Sequence, residues 1–143
     1  MKLLFLLVTA VHAQTLTLTG PANIKSNQTV KLTLTLSTNQ PIAGLQFDLS
    51  GPKGFWFGPP TLDPAFVAQG KSISCTDVFS RCVIEGMNQN TVGSGVVLTI
   101  PLSASKNARL GANSIPPSNV FAVDPLGLNV MISVGPQYSI NKK

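Results

Sequence analysis

The clearest periodicity lies in residues 30–37, VKLTLTLS, where Val30, Leu32, Leu34 and Leu36 share one face and Lys31, Thr33 and Thr35 the other. Successive strand side chains point to opposite faces, so this alternation predicts a half-buried strand. Residues 42–50 (IAGLQFDLS) repeat the pattern, with Leu45, Phe47 and Leu49 inward and Gln46 and Asp48 outward. Asn39, Gln40 and Pro41 turn the chain between them, a spacing compatible with a hairpin and equally with strands on opposite sheets. TLTLT at 15–19 is an opening strand closed by Gly20-Pro21. Residues 95–102 (GVVLTIPL) form a nearly continuous apolar strand in which Pro101 marks a terminus or a bulge. After the turn DPLG at 124–127, residues 128–134 alternate with Leu128, Val130, Ile132 and Val134 inward. Shorter strands are expected at 65–68, 72–75, 81–85 and 120–123.

Residues 51–64 (GPKGFWFGPPTLDP) are too rich in Gly and Pro for a long regular element. They read as an ordered loop crossing the mouth or edge of the sheets. Residues 103–111 have room for one turn of helix, and no stretch supports three turns; the tail YSINKK gives no pattern. The sum is an all-β chain of eight or nine short strands. A polar face and an apolar face on each strand require a second sheet to cover the apolar one, hence a two-sheet β-sandwich, with a small barrel as the rival.

The start of the chain changes the picture. Lys2 is followed by an apolar stretch, Leu3 to Val11, too short to span a bilayer, and then by a small-residue site after Ala13. This predicts a signal peptide over residues 1–13, a single exported domain over 14–143, and a secreted, periplasmic or cell-surface location, with no transmembrane segment in the mature chain. Two cysteines, Cys75 and Cys82, are then more readily a disulfide than free thiols. Their spacing, with no histidine near, is neither a zinc site nor a redox C-x-x-C. The net charge of +5 comes from scattered Lys and Arg, not from a patch interleaved with aromatics, so nucleic acid is not an expected partner.

The order of motifs VKLTLTLS, AGLQFDLS (43–50), GVVLTIPLSA (95–104) and DPLGLNVMIS (124–133), with the cysteine pair in SISC and RCVIEG, resembles the cohesin-like branch of the secreted bacterial carbohydrate-binding-module sandwiches. The resemblance covers most of residues 14–134. It implies a jelly-roll sandwich and a non-enzymatic role in adhesion or assembly, holding a dockerin-like or other cell-surface protein through a sheet face, or a polysaccharide through aromatics. The chain departs from that pattern in two places. Gly51-Pro52-Lys53 stands where cohesins commonly carry a Tyr-Asp-Pro turn, and the spaced aromatic row of a crystalline-cellulose face is absent.

Phe55, Trp56 and Phe57 are the candidate ligand-binding residues. An aromatic on a glycine-rich loop suits stacking on a sugar ring or anchoring a partner, and plugging the sandwich end is the structural alternative. Asp48 and Glu85 are the candidate carboxylate pair for a small glycoside hydrolase. Asp124 with the Asn119 region is the candidate calcium site; no other metal or cofactor is expected. The sole histidine, His12, would leave with the signal peptide, which removes a Ser-His-Asp or Cys-His system. A non-enzymatic binding module is the leading expectation, ahead of a self-assembling structural subunit of a surface assembly and of the hydrolase.

Overall fold

The computed structural model describes residues 14–143, so the expected signal peptide lies outside the described residues. The elements run β1 (Thr15–Thr19), β2 (Asn23–Ile24), β3 (Thr29–Ser37), β4 (Gly44–Leu49), β5 (Phe55–Phe57), β6 (Thr61–Leu62), α1 (Pro64–Ala68), β7 (Ser72–Cys75), β8 (Arg81–Glu85), β9 (Gly95–Ala104), β10 (Gly111–Ser114), β11 (Pro117–Val123), β12 (Asn129–Val130), β13 (Ser133–Val134) and β14 (Ser139–Lys142). One sheet has the order β13-β1-β3-β9-β5, with β6 also on β9; the other has β12-β11-β4-β8-β7. A third, three-stranded sheet, β10-β14-β2, adds buried Ile24 and Ile140 to the core. The architecture is the expected β-sandwich. Its strand segments exceed eight or nine because several are only two residues long.

The alternation places the core. Leu16 and Leu18 from β1, Leu32, Leu34 and Leu36 from β3, and Leu98, Ile100 and Leu102 from β9 are buried with Leu45, Phe47 and Leu49 from β4 and Ile84 from β8. Each such side chain contributes about 1.5–3 kcal/mol by leaving water. The apolar run in β9 has its own cause. Leu34 pairs with Leu98 but Thr35 with Val96, so Val97 is an extra residue at a bulge, and both Val97 and Leu98 turn inward.

Pro101 does not end its strand. Gly58 N–H donates to the Pro101 carbonyl at 2.9 Å. A residue's N–H and C=O point the same way in an antiparallel ladder, so the side of Pro101 that lacks a donor faces Gly58, in the gap between β5 and β6. Gly58 also makes room for the ring, since a Cβ there would lie 3.2 Å from Pro101 Cγ.

Three local expectations are corrected, and the tail gains an assignment. Residues 65–68 are helical, not extended: Asp63 caps α1, its Oδ2 accepting from Ala65 N–H at 3.0 Å, and Pro64 occupies the first turn. Residues 128–134 are not one strand, because β12 pairs with β11 and β13 pairs with β1 in the other sheet. The chain changes sheets at Met131-Ile132, which leaves Val130 buried but Leu128 and Val134 exposed. Residues 105–110, after β9, form a turn without helix. The tail forms β14, antiparallel to β10 and parallel to β2.

Candidate functional site

The Gly/Pro-rich loop holds a short strand that fixes its aromatics. In β5, Phe55 opposes Ala104, Trp56 opposes Ser103 and Phe57 opposes Leu102 of β9. Strand alternation then buries Phe55 and Phe57 and turns Trp56 outward, 52% exposed. Gly54 sets the start of the strand. Its φ is +87°, its carbonyl accepts from Ser105 N–H at 2.8 Å, and a Cβ there would lie 2.6 Å from Ala108 Cα. The three aromatics thus divide, one facing solvent and two anchoring it from the core.

Trp56 lines an open groove of about 810 Å³ together with Asp48, Thr76, Asp77, Val78 and Arg81. One wall is the tip of the β7–β8 hairpin. Cys75 and Cys82 are directly opposed and bonded, S–S 2.07 Å, with Cα atoms 4.1 Å apart. The tip beyond them is held from within. Thr76 N–H donates to the Arg81 carbonyl at 2.9 Å, and Thr76 Oγ1 accepts from the N–H groups of Ser80 and Arg81 at 3.2 and 3.1 Å. Phe79, at φ +54°, packs against the core. Asp77 has no hydrogen-bond or ion-pair partner among the described residues.

At the groove floor Asp48 of β4 stands opposite Arg81 of β8. Arg81 donates from Nε to Oδ1 at 2.7 Å and from Nη2 to Oδ2 at 2.9 Å, and Asn119 Nδ2 adds 2.7 Å to Oδ2. Asn119 reaches there because β11 bulges between Ser118 and Phe121, placing it at φ +47°. The bonds from Arg81, then that from Asn119, lower the Asp48 pKa to about 2.

The expected carboxylate pair is not assembled. Glu85 lies four residues along β8 from the partner of Asp48, roughly 13 Å at the rise of a strand, against roughly 5–9.5 Å for two-carboxylate hydrolysis. Nor are the candidate calcium ligands drawn together. Asn119 is committed to Asp48, and Asp124 Oδ1 accepts from Leu126 and Leu128 N–H, both at 2.9 Å, within its own turn. Among the described residues no group of three or more His, Cys, Asp or Glu could hold a metal.

The two outer sheet faces differ. On the six-stranded sheet, Thr19, Thr33, Thr99 and Thr61 form one cross-strand row and Thr17, Thr35 and exposed Val96 another. On the five-stranded sheet the middle row is Ser74, Val83, Gln46 and Phe121, with Phe121 50% exposed. Gly44, opposite Val123, leaves a hollow of about 380 Å³ bounded by Val83, Phe121 and Val123. Leu126 and Leu128 are exposed in the β11–β12 turn, whose Pro125 and Gly127 line the hollow. Sequence reasoning missed this face because its apolar residues come from separate strands and meet only through register.

No family model and no curated protein sequence matches the chain. Solved structures do. A non-cellulosomal cohesin from the hyperthermophilic archaeon Archaeoglobus fulgidus superposes with a TM-score of 0.73 at 10% identity, over 92% of this chain and 91% of that one. The fold is cohesin-like. A cohesin module of a Clostridium perfringens family 33 glycoside hydrolase gives 0.73 at 6% identity, over 91% and 96%. A type II cohesin from a cohesin–X–dockerin complex of Acetivibrio cellulolyticus gives 0.72 at 12%, over 91% and 99%. The cohesin-like sandwich therefore arises here from a sequence that shares few residues with these modules.

Proposed function

We propose that this chain is an exported, non-enzymatic docking module, one domain over residues 14–143, that holds a dockerin-like partner protein on the outer face of its five-stranded sheet. The observation that carries the reading is the asymmetry of the two faces. One presents threonine rows with Val96 among them, and the other presents Val83, Phe121 and Val123 around the Gly44 hollow, with Leu126 and Leu128 exposed in the turn whose Pro125 and Gly127 line it. Apolar side chains gathered on one exposed face are a mark of partner contact. The Acetivibrio cellulolyticus neighbour, which comes from a complex with an X-dockerin, supports the choice of partner. Export rests on the apolar leader of residues 3–11, and the Cys75–Cys82 disulfide suits an oxidising compartment.

The test is capture from the producing cells' secreted and envelope fractions, with variants of each face. One dominant protein partner is expected, lost with Phe121→Asp and kept with Lys31→Glu on the threonine face. Loss with Lys31→Glu and retention with Phe121→Asp would overturn the assignment. Concentration-dependent self-association with no other partner would favour a structural subunit.

Polysaccharide binding is a second reading, at a different place. It is favoured by the exposure of Trp56 beside a groove that also carries Asp48, Thr76, Asp77 and Arg81.

A further inference from the structure

We infer that the groove between Trp56 and the disulfide-held hairpin tip binds a neutral pyranose chain, with the indole as stacking platform and Asp77 and Arg81 as acceptor and donor; this rests on the polysaccharide reading above. Three observations carry it. The first is rigidity on both walls. Trp56 is fixed by buried neighbours on either side, and the opposite tip is closed by a disulfide and by five hydrogen bonds to or from Thr76. Groups already immobilised lose little entropy when a ligand arrives.

The second is unused hydrogen-bonding capacity. A guanidinium has five N–H donors, and Asp48 engages two of those on Arg81, whose side chain is 52% exposed. The Asp77 carboxylate has no partner among the described residues. A sugar hydroxyl donates and accepts at once, so a free acceptor beside a free donor is the complement it needs. The C–H face of a pyranose in turn fits the electron-rich face of an indole. The groove, about 810 Å³ and open to solvent, falls in the size range of small-ligand sites.

The third is charge, and it selects the sugar class. Although the chain as a whole carries +5, the ionisable side chains that line the groove among the described residues are two carboxylates, Asp48 and Asp77, and one guanidinium, Arg81. Arg81 is already neutralised by Asp48, so the free charge facing a ligand is that of Asp77. A uronate, sulfate or phosphate meets repulsion there, and a neutral sugar does not.

Trp56 is the sole tryptophan, so its fluorescence reads this groove directly. The full chain is titrated with cellohexaose, xylohexaose, mannohexaose and maltohexaose, and with hexagalacturonate as the anionic counterpart, at about 0.15 M salt. A saturable emission change is expected with at least one neutral hexasaccharide and none with hexagalacturonate. Asp77→Ala, which keeps the reporter, should weaken that binding about tenfold or more. Trp56→Ala should abolish it by calorimetry. Binding of hexagalacturonate alone would overturn the neutral-sugar inference and leave the polysaccharide reading standing. No response to any of the five would overturn both. Neutral binding that survives in Trp56→Ala and Asp77→Ala would remove the assigned site.

Discussion

Arg81 grips Asp48 by both carboxylate oxygens, Nε to Oδ1 at 2.7 Å and Nη2 to Oδ2 at 2.9 Å, from the directly opposed position on the neighbouring strand. The pair lies where the five-stranded sheet meets the Trp56 groove, so it borders both proposed binding surfaces. Its fork geometry fixes Arg81 while leaving other guanidinium donors free. Asn119, brought in by the β11 bulge, ties a third strand to the same carboxylate.

Removing the guanidinium should release Asp48. In Arg81→Gln its pKa should rise from about 2 toward the ordinary value of 3.8. A depressed folded-state pKa contributes stability that is present above the unfolded pKa and lost as pH falls toward the folded one. The native protein should therefore lose stability between about pH 4 and pH 2, and the variant should lack most of that loss. The effect on unfolding will be small, because Arg81 is half exposed and screened. A carboxyl-carbon NMR titration of Asp48 gives the direct readout, and an unchanged midpoint in the variant would refute the account.

The disulfide acts on one hairpin, not on the scaffold. It closes a loop with a sequence separation of only 7. Loop-closure entropy for so short a ring gives about 2–3 kcal/mol. Cys75→Ser with Cys82→Ser should lower the melting temperature by on the order of 10 °C while leaving the far-ultraviolet spectrum native. Amide exchange should accelerate more at residues 72–85 than in β3 or β9, whose most protected amides exchange only through global unfolding. A uniform acceleration over the whole chain would show the bridge to be a global constraint instead.

Gly54→Ala tests what holds Trp56 in place. The position combines φ +87° with a Cβ site 2.6 Å from Ala108 Cα, so alanine meets backbone strain and backbone collision together. The cost should be about 2 kcal/mol or more by urea unfolding, with the 104–108 turn pushed from β5 and a shifted Trp56 emission maximum. Gly111→Ala is the control. Its φ is +90°, but a Cβ there meets nothing within 4 Å, so it carries the strain alone and should cost less. Equal costs would mean that the close approach at Ala108 does not matter.

How far the sequence could be read depends on what each feature rests on. The inward residues of β3 and β4 were legible because two-residue alternation against one core leaves little choice: Leu32, Leu34, Leu45, Phe47 and Leu49 all lie where the pattern puts them. Residues 128–134 alternate equally well, yet alternation does not say which sheet a strand joins, and the chain changes sheets in the middle. The short helix carried a readable signal, Asp63 before Pro64, that was outweighed by its length of five residues. The groove was legible only at Trp56. Asp48 and Arg81 are 33 positions apart, and the row Val83, Gln46, Phe121 spans three strands, so both depend on a register that no local pattern specifies.

Tyr138 offers a test at the opposite end of the pH scale. Its hydroxyl donates to the Pro21 carbonyl at 2.6 Å, and the ring sits against Gly20, where a Cβ would approach the phenolic oxygen to 2.9 Å. Burial disfavours the phenolate and raises the pKa to about 12. The folded state then holds its proton where the unfolded chain, titrating near 10, has lost it. Stability from this group is thus complete below about pH 10 and falls as pH rises toward 12. Tyr138→Phe should cost about 1 kcal/mol at neutral pH, through the lost hydrogen bond, and should flatten the decline above pH 10. Chemical denaturation of both proteins at pH 7, 10 and 11.5 separates the two effects. A variant that matches the parent at pH 7 but declines as steeply in alkali would show that neither the bond to Pro21 nor the burial of Tyr138 contributes as argued.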